Sequence, residues 1–353
     1  MQKPEQLRTG SRIAVVAPSF AADPDTAGEA AESIREMGFI PVLFPSCHAS
    51  FGYFAGSDRL RASDINRAFL DPSIDGIFCL RGGYGAARLL PLLDYHAIRT
   101  HPKVFMGYSD VTALHLVFQQ RCRMVTFHGP VVRELKQADS FTRRSMLCCL
   151  CTPGPSTLSC DDRQPLQCLS VRPGRFSDGP FSPGASISPA EGSLTGGNLT
   201  TLCSLLGTPY EPDTRGKILF LEETNEASYR IDRMLTSLAL SGKLGQCAGI
   251  LLGSFTDCPD STAGQGRTFS LEEVLRDRLC LPKLPVFFGL PCGHEKQNLT
   301  LPLGVRVRLC PADTSVHVTE SCTRSDTSST VRRTSFPDSG SDAQAPPSHQ
   351  RKP

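Results

Sequence analysis

Short apolar runs alternate with stretches of helical periodicity in the first third of the chain. Residues 12–17 (RIAVVA) are rich in Val and Ile and predict a strand. Asp23 and Pro24 then indicate a helix start, since an acid caps a helix and proline suits its first turn, and Gly38 ends that helix. Similar runs predict strands at residues 40–44, 76–80, 104–106 and 124–127. Alternating strands and helices predict parallel βαβ units, hence a doubly wound, mostly parallel α/β domain over residues 1–150.

A second, smaller α/β domain is predicted at residues 191–320, after a break in the pattern. Residues 151–190 are punctuated by Pro, Gly and Ser and keep no periodicity, which indicates a linker or insertion. Order resumes with a helix at residues 232–240 and with strands at residues 217–221, 249–253, 285–288 and 305–309. Residues 321–353 are polar and low in complexity, so we expect a disordered tail.

The charges of the chain nearly balance, with 37 basic against 35 acidic side chains and a net charge of +2. That balance gives no electrostatic reason to expect nucleic acid or a membrane surface as partner, and it favours a small-molecule substrate. The first apolar run is too short for a signal peptide, and no apolar stretch of about 18 residues predicts a transmembrane helix. We therefore expect a cytoplasmic protein in which the 15 cysteines are reduced thiols.

A zinc site is the alternative interpretation for some of these cysteines. Cys148 and Cys151 have CxxC spacing, and Cys160 and Cys168 follow downstream. No second CxxC or pair of histidines follows at a usual distance. Buried or idle thiols are therefore favoured, and we expect no metal.

A serine follows the predicted strand at residues 104–106, in a tight turn that leads into a helix. In the sequence GYSDVT we expect Ser109 to be exposed, with its hydroxyl directed out of the sheet. The amide of Asp110 would lie at a helix N-terminus, where it can donate to an oxyanion. The usual G-x-S-x-G turn is not matched, because Val111 replaces the second glycine. The alternative is that Ser109 and Asp110 merely cap the helix.

Two further polar segments also follow predicted strands. The strand at residues 217–221 leads to Glu222 and Glu223, and a carboxylate can orient a catalytic imidazole and stabilise its charged form. His294 lies in a glycine-bounded loop after the strand at residues 285–288, where an imidazole can exchange protons. The alternatives are a solvated acidic strand end and an ordinary loop histidine. The chain order Ser, Glu, His, each at a strand end, is typical of hydrolases with a strand–turn–helix nucleophile.

Glycines cluster after the predicted strand at residues 76–80, in the sequence RGGYGAA. A dinucleotide-binding loop is one alternative, but Arg88 stands where that fingerprint has Gly or Ala. The loop also follows the third predicted strand rather than the first. Beside a nucleophile, bare glycines would instead let backbone amides approach a developing oxyanion.

Seven segments together resemble the LD-carboxypeptidase family of serine peptidases, the muramoyltetrapeptide carboxypeptidases. They cover nearly all of residues 10–310 in the family order: GSRIAVVAPS, SDRLRASDINRAFLDPSIDGIFCLRGGYGAARLLPLLD, GYSDVTALH, TFHGP, TGGNLTTLCSLLGTP, GKILFLEETNEASYRIDRML and GHEKQNLTLPLG. The resemblance implies cleavage between the L-centre of meso-diaminopimelate and the terminal D-Ala of murein tetrapeptide, during cell-wall peptidoglycan recycling. It also implies a cytoplasmic enzyme, often a homodimer, without metal or organic cofactor.

The resemblance also assigns roles to individual residues. The catalytic serine, glutamate and histidine of the family correspond to Ser109, Glu222 and His294. This correspondence selects Glu222 over its acidic neighbours Glu223 and Glu226. The oxyanion donors correspond to the backbone amides of Gly83, with Gly82 as an alternative, and of Asp110.

Two other interpretations stay open. A related branch that hydrolyses peptidyl or aminoacyl adenylates, as in microcin immunity, shares the triad but lacks the RGGYG form of the glycine loop. A catalytically idle α/β binding module, such as a sensor of wall fragments, is opposed by the intact serine, glutamate and histidine.

Overall fold

The computed structural model consists of two β-sheets with helices packed against them. It describes residues 1–158, 166–169, 187–260, 268–281 and 283–325. Most of the predicted linker, Cys160 and most of the predicted tail therefore lie outside the described residues. Within these ranges, no helix is long and apolar enough to cross a membrane.

The α-helices of the described residues are numbered α1 to α8 in chain order: Thr26–Glu36, Asp58–Leu70, Tyr95–Thr100, Thr112–Val117, Ser140–Cys151, Leu199–Cys203, Ser228–Leu240 and Leu271–Leu279. The strands are β1 to β14: Arg12–Val16, Ile40–Leu43, Gly76–Cys79, Val104–Gly107, Thr126–His128, Ser156–Thr157, Gln167–Cys168, Ala190–Asn198, Ile218–Thr224, Gly249–Thr256, Val286–Phe288, Leu301–Leu303, Arg306–Cys310 and Ser315–Val318. Short helices of other types lie at Pro45–His48, Ala86–Leu92, Ser109–Val111, Phe118–Cys122 and Val132–Glu134.

The first sheet has the strand order β12-β5-β4-β3-β1-β2. Strands β1 to β5 are parallel, and the sixth strand, β12, runs antiparallel to β5. Every residue of β3 and β4 is buried, as expected where helices cover both faces of a parallel sheet. The five strands predicted from the first part of the sequence are all present, which confirms the doubly wound α/β fold.

The second sheet has the strand order β6-β14-β13-β8-β9-β10-β11-β7. Its four central strands, β8 to β11, are parallel, and the outer strands pair antiparallel. The hydrophobic pattern did not predict β8, because this strand contains three glycines. A Cβ on Gly196 would overlap the backbone of Phe220, so the close pairing of β8 and β9 requires a glycine there.

Strand β9 is longer than the predicted strand at residues 217–221. It continues to Thr224 and takes Glu222 and Glu223 into the sheet, where both side chains are buried. Glu222 pairs with Asn198 of β8. The two carboxylates are therefore not the solvated strand end that the sequence left open as an alternative.

The chain crosses between the sheets after β11. Strand β12 follows β11 along the chain but pairs with β5 in the first sheet, opposite His128. The next segment returns at once, since the Gly304 amide donates to the Leu194 carbonyl, in the second sheet. The loop between β11 and β12 is thus held at both ends, one in each sheet.

Some of the described residues in the predicted linker and tail are ordered. Strand β6 pairs with β14 and β7 pairs with β11. Cys322 and Thr323 are buried, and the Arg324 amide donates to the carbonyl of Pro4. Order thus extends past residue 321, the predicted start of the tail, while residues 326–353 lie outside the described ranges.

Candidate active site

Ser109 lies at the turn between β4 and a short helix, at the carboxyl edge of the first sheet. Its φ angle is 66°, in the left-handed region that residues other than glycine seldom adopt. Gly82 of the glycine loop packs directly against it, since a Cβ on Gly82 would lie 2.9 Å from the Ser109 Cβ. A strained serine on a strand–turn–helix connection is the arrangement of an exposed nucleophile.

The structure brings together the three side chains that the sequence singled out. Nε2 of His294 lies 3.1 Å from Oγ of Ser109, and Nδ1 of His294 lies 2.7 Å from Oε2 of Glu222. These distances allow a proton to pass from the serine hydroxyl to an imidazole that the carboxylate orients. The serine comes from the first sheet, the glutamate from the second, and the histidine from the loop that joins them.

Glu222 is a fully buried carboxylate. Burial alone would raise its pKa, but the nearby imidazoles of His128 and His294 outweigh burial and lower the pKa of Glu222 to about 2. The carboxylate is therefore ionised at neutral pH and acts only as a hydrogen-bond acceptor.

His294 experiences opposing influences. Its partial burial disfavours the charged imidazolium, but the hydrogen bond and the charge of Glu222 outweigh burial, so the pKa of His294 is raised. Glu134 adds a smaller attraction; its carboxylate accepts a 2.9 Å hydrogen bond from Tyr108. The Tyr108 ring packs against the imidazole, with centroids 4.7 Å apart. The site thus favours the protonated state that a general base must reach during catalysis.

The glycine loop is fixed by the side chain of Asp110. One carboxylate oxygen of Asp110 accepts hydrogen bonds from the hydroxyl of Ser19, at 2.6 Å, and from the amide of Ala86, at 2.8 Å. The Gly83 φ angle is 123°, and a Cβ there would lie 2.5 Å from the ring of Phe20. The loop therefore needs glycine at this position and is tied to the residue that follows the serine.

Several of these residues could not be chosen from the sequence. Ser19, Tyr108, His128 and Glu134 stand in ordinary local patterns, and only their positions in the fold bring them to the site. Arg61, a buried cation that donates to the carbonyl of Gly85, likewise holds the glycine loop from helix α2. The segments that carried the family resemblance contain Ser19, Tyr108 and His128, and this was the signal available for them, whereas Glu134 lies outside those segments.

The two acidic neighbours of Glu222 make their hydrogen bonds to other groups. Glu223 accepts hydrogen bonds from Asn198 and Thr200, and Glu226 pairs with Arg230. Both are therefore engaged with partners other than His294.

The CxxC pair lies in the last turns of helix α5, with Cys148 exposed and Cys151 partly buried. Among the described residues, no group of three or more His, Cys, Asp or Glu side chains could hold a metal ion.

Models of known protein families match two parts of this chain. Residues 13–129 match the N-terminal domain of LD-carboxypeptidases, and residues 191–309 match their C-terminal domain. A relative from Bacillus subtilis, named "Probable murein peptide carboxypeptidase", is 34% identical over 319 residues, covering 88% of this chain and 92% of that protein.

Solved structures of two kinds share the fold. A muramoyltetrapeptide carboxypeptidase from Oxalobacter formigenes has 29% identity and a TM-score of 0.71, covering 87% of this chain and 97% of that one. MccF in complex with glutamyl sulfamoyl guanosine has 26% identity and a TM-score of 0.77, covering 91% of this chain and 99% of that one. Both family domains match in order and the relatives align over nearly their whole length, so this chain belongs to the LD-carboxypeptidase family.

Proposed function

We propose that this protein is a serine LD-carboxypeptidase that releases the terminal D-Ala of murein tetrapeptide by cleaving its bond to meso-diaminopimelate. We place this reaction in the recycling of cell-wall peptides in the cytoplasm. The observation that carries the proposal is the continuous contact from Ser109 through His294 to Glu222 beside a glycine loop. The carboxypeptidase names of its relatives support the substrate class.

The first half of the proposed reaction forms an acyl-enzyme. His294 takes the proton of Ser109 through Nε2 while the serine oxygen attacks the scissile carbonyl. Glu222 stabilises the imidazolium that results, because it is ionised and bonded to Nδ1. The backbone amides of Asp110 and of Gly83, or of its neighbour Gly82, would hold the oxyanion.

The second half returns the enzyme to its starting state. The imidazolium first gives its proton to the amine of D-Ala, which leaves as the C–N bond breaks, and this completes the acyl-enzyme. A water molecule, with His294 again as base, then attacks the ester. The hydroxyl of Ser109 is restored, and the shortened peptide leaves as a carboxylate. Proton, acyl group and water are all accounted for with these side chains.

Release of D-Ala from two peptides tests the proposal. The tetrapeptide ending in meso-diaminopimelyl-D-Ala should be cleaved, and the D-Ala-D-Ala bond of the pentapeptide should stay intact. The serine, the oxyanion amides and the histidine fix one line of attack, and a displacement of about 1 Å costs roughly a hundredfold in rate. Equal cleavage of the two peptides would refute LD-specificity.

A second candidate function is hydrolysis of peptidyl or aminoacyl adenylates. The observation in its favour is the similarity to MccF bound to a glutamyl sulfamoyl nucleoside. An aminoacyl sulfamoyl adenosine distinguishes the two functions, because it carries the aminoacyl and nucleoside groups of an adenylate and no part of a murein peptide. Tight binding of this compound together with no turnover of the tetrapeptide would assign the protein to the adenylate-cleaving branch.

A further inference from the structure

A second histidine lies near the oxygen of the triad carboxylate that His294 does not contact. Nε2 of His128 lies 3.9 Å from Oε1 of Glu222, and neither side chain has any exposed area. Among the described residues, neither of these two atoms has a hydrogen-bond partner. Buried polar atoms are nearly always paired, because an unpaired one loses its hydration without compensation. Two such atoms facing each other therefore indicate a functional contact.

The position of His128 is set by the first sheet. His128 is the last residue of β5, paired with Gly107 of β4 and with Leu301 of β12. Its ring meets the ring of Phe220 edge to face, with centroids 5.0 Å apart. Close packing on several sides prevents the imidazole from turning away, so Nε2 stays directed at the carboxylate.

The proton on His128 can be assigned from its neighbours. Glu222 is ionised and only accepts hydrogen bonds, so a lone pair on Nε2 would face a negative charge. The favourable tautomer of His128 has its proton on Nε2. Nδ1 is then an acceptor that faces Sγ of Cys292, 3.4 Å away, and the single thiol proton can go either to Nδ1 or to the carbonyl of Leu299, 3.1 Å from Sγ.

We propose that His128 is a positioning residue for the triad: its Nε2–H holds Oε1 of Glu222, which keeps Oε2 on the imidazole of His294. This inference rests on the proposed function as a serine hydrolase. An approach of about 1 Å would turn the 3.9 Å separation into a hydrogen bond of ordinary length. Catalytic hydrogen bonds are often long in ligand-free enzymes and shorten in the substrate complex.

The other ionisable groups around His128 carry no charge at neutral pH. Burial raises the pKa of Tyr108 and the pKa of Cys292, and it lowers the pKa of His115 to about 3. Of the groups that face His128, Glu222 is thus the charged one. A substitution of His128 should therefore change the hydrogen bonding of Glu222 and, through it, the pKa of His294.

The test compares His128→Phe, which has no donor, with His128→Gln, which keeps an N–H group. The measurement is the pH dependence of the rate at which a fluorophosphonate labels Ser109, a reaction that needs the triad but no murein peptide. His128→Phe should lower the maximal rate by roughly ten- to a hundredfold, as expected for one hydrogen bond to a charged group. It should also move the acid limb to higher pH, because the charge of Glu222 then acts undiminished on His294. His128→Gln should recover most of both effects.

His115→Phe is the matched control. His115 is a buried histidine whose ring centroid lies 6.4 Å from that of His128, and its Nε2 contacts the carbonyl of Gly107 instead of an acid. The acid limb of this variant should match that of the wild type. An unshifted limb in His128→Phe, or equal effects of Phe and Gln at position 128, would overturn the proposal.

A second measurement reads the tautomer of His128 in the wild type directly. Nitrogen NMR of the ¹⁵N-histidine-labelled wild type should show the proton of His128 on Nε2, with the signal assigned by its loss in His128→Gln. A proton on Nδ1 with a bare Nε2 would overturn the proposal. If the wild type is not labelled by fluorophosphonate, the proposed function fails, and the tautomer still decides the role of His128.

Discussion

Ser109 holds a left-handed backbone conformation that costs an L-residue about 1–2 kcal/mol. The surrounding turn maintains it, with Gly82 packed against the side chain on one side and β4 leading into it on the other. This backbone conformation directs the hydroxyl out of the sheet towards His294. Stability and activity therefore make opposite demands on this one residue.

Replacing Ser109 separates its effect on stability from its effect on activity. Ser109→Ala and Ser109→Gly should both lose D-Ala release by several orders of magnitude, because the proposed nucleophile is gone. Ser109→Gly should be the more stable variant by about 1 kcal/mol, since glycine accepts a positive φ without strain. Urea denaturation of the two proteins measures the difference. Turnover of Ser109→Ala at a tenth of the wild-type rate would mean that the nucleophile lies elsewhere.

The raised pKa of His294 predicts the pH dependence of the reaction. The base must be neutral, so the acid limb of kcat/KM should lie above the ordinary imidazole pKa of about 6.5. Glu222→Gln removes the charge that raises this pKa and leaves burial, which lowers it. The limb should move to lower pH while the maximal rate falls by orders of magnitude.

Glu223→Gln is the control for that experiment. Glu223 is the adjacent buried acid, but its carboxylate bonds to Asn198 and Thr200 rather than to the imidazole. Its replacement should move the acid limb far less. A larger loss of kcat/KM from Glu223→Gln than from Glu222→Gln would contradict the assignment of the triad acid.

At the scale of the elements, hydrophobic runs predicted the central strands of the first sheet. They did not predict strands whose residue types are determined by contacts with neighbouring strands. Strands β1, β3 and β4 are apolar because both faces of the sheet are covered there, and that signal is local. The same pattern did not predict strand β8, because its glycines are required by the close approach of the β9 backbone. The sequence did not predict that β9 continues through Glu222. Acidic residues after an apolar run indicate a solvent-exposed strand end unless their buried partners are known.

The glycine loop and the nucleophile turn form one unit through Asp110. Asp110→Ala removes the acceptor for the Ala86 amide and for Ser19, so the loop should lose its fixed distance to Ser109. We expect kcat to fall roughly tenfold, less than the roughly hundred- to thousandfold loss typical of deleting an oxyanion donor, because the amides of the loop are displaced and not removed. Steady-state kinetics on the tetrapeptide measure this loss.

Ser19→Ala is the milder comparison for the same loop. It keeps the hydrogen bond from the Ala86 amide and removes one donor to Asp110, so its kcat should stay closer to the wild type. Equal kcat values for Asp110→Ala and the wild type would show that the loop needs no anchor.

Across the whole molecule, the site depends on residues that sequence spacing cannot bring together. Ser109 and His294 are 185 positions apart and meet because β12 returns to the first sheet after the histidine loop. Sequence order indicated which residue types were available, and the family resemblance selected among them. The separation of the atoms followed only from the pairing of the strands.

The two ends of the described chain also meet, which predicts the effect of truncation. A protein ending after Ser325 should keep its melting temperature and turnover, because residues 326–353 are too polar to join a core. A protein ending after Glu320 loses buried Cys322 and the hydrogen bond from Arg324 to Pro4. It should melt several degrees lower. Equal melting temperatures for the two truncations would contradict this expectation.

The return of β12 to the first sheet also determines when the protein becomes active as it folds. An intermediate with only one sheet formed has no complete triad, and the loop of His294 closes only when both sheets exist. Contacts of such long sequence separation form late, because chain entropy opposes them until the rest of the structure is in place. Refolding should therefore restore secondary structure before it restores reactivity of Ser109 towards a fluorophosphonate. Hydrolytic activity would then report the last step of folding, and a partly folded chain would be harmless to the peptides around it.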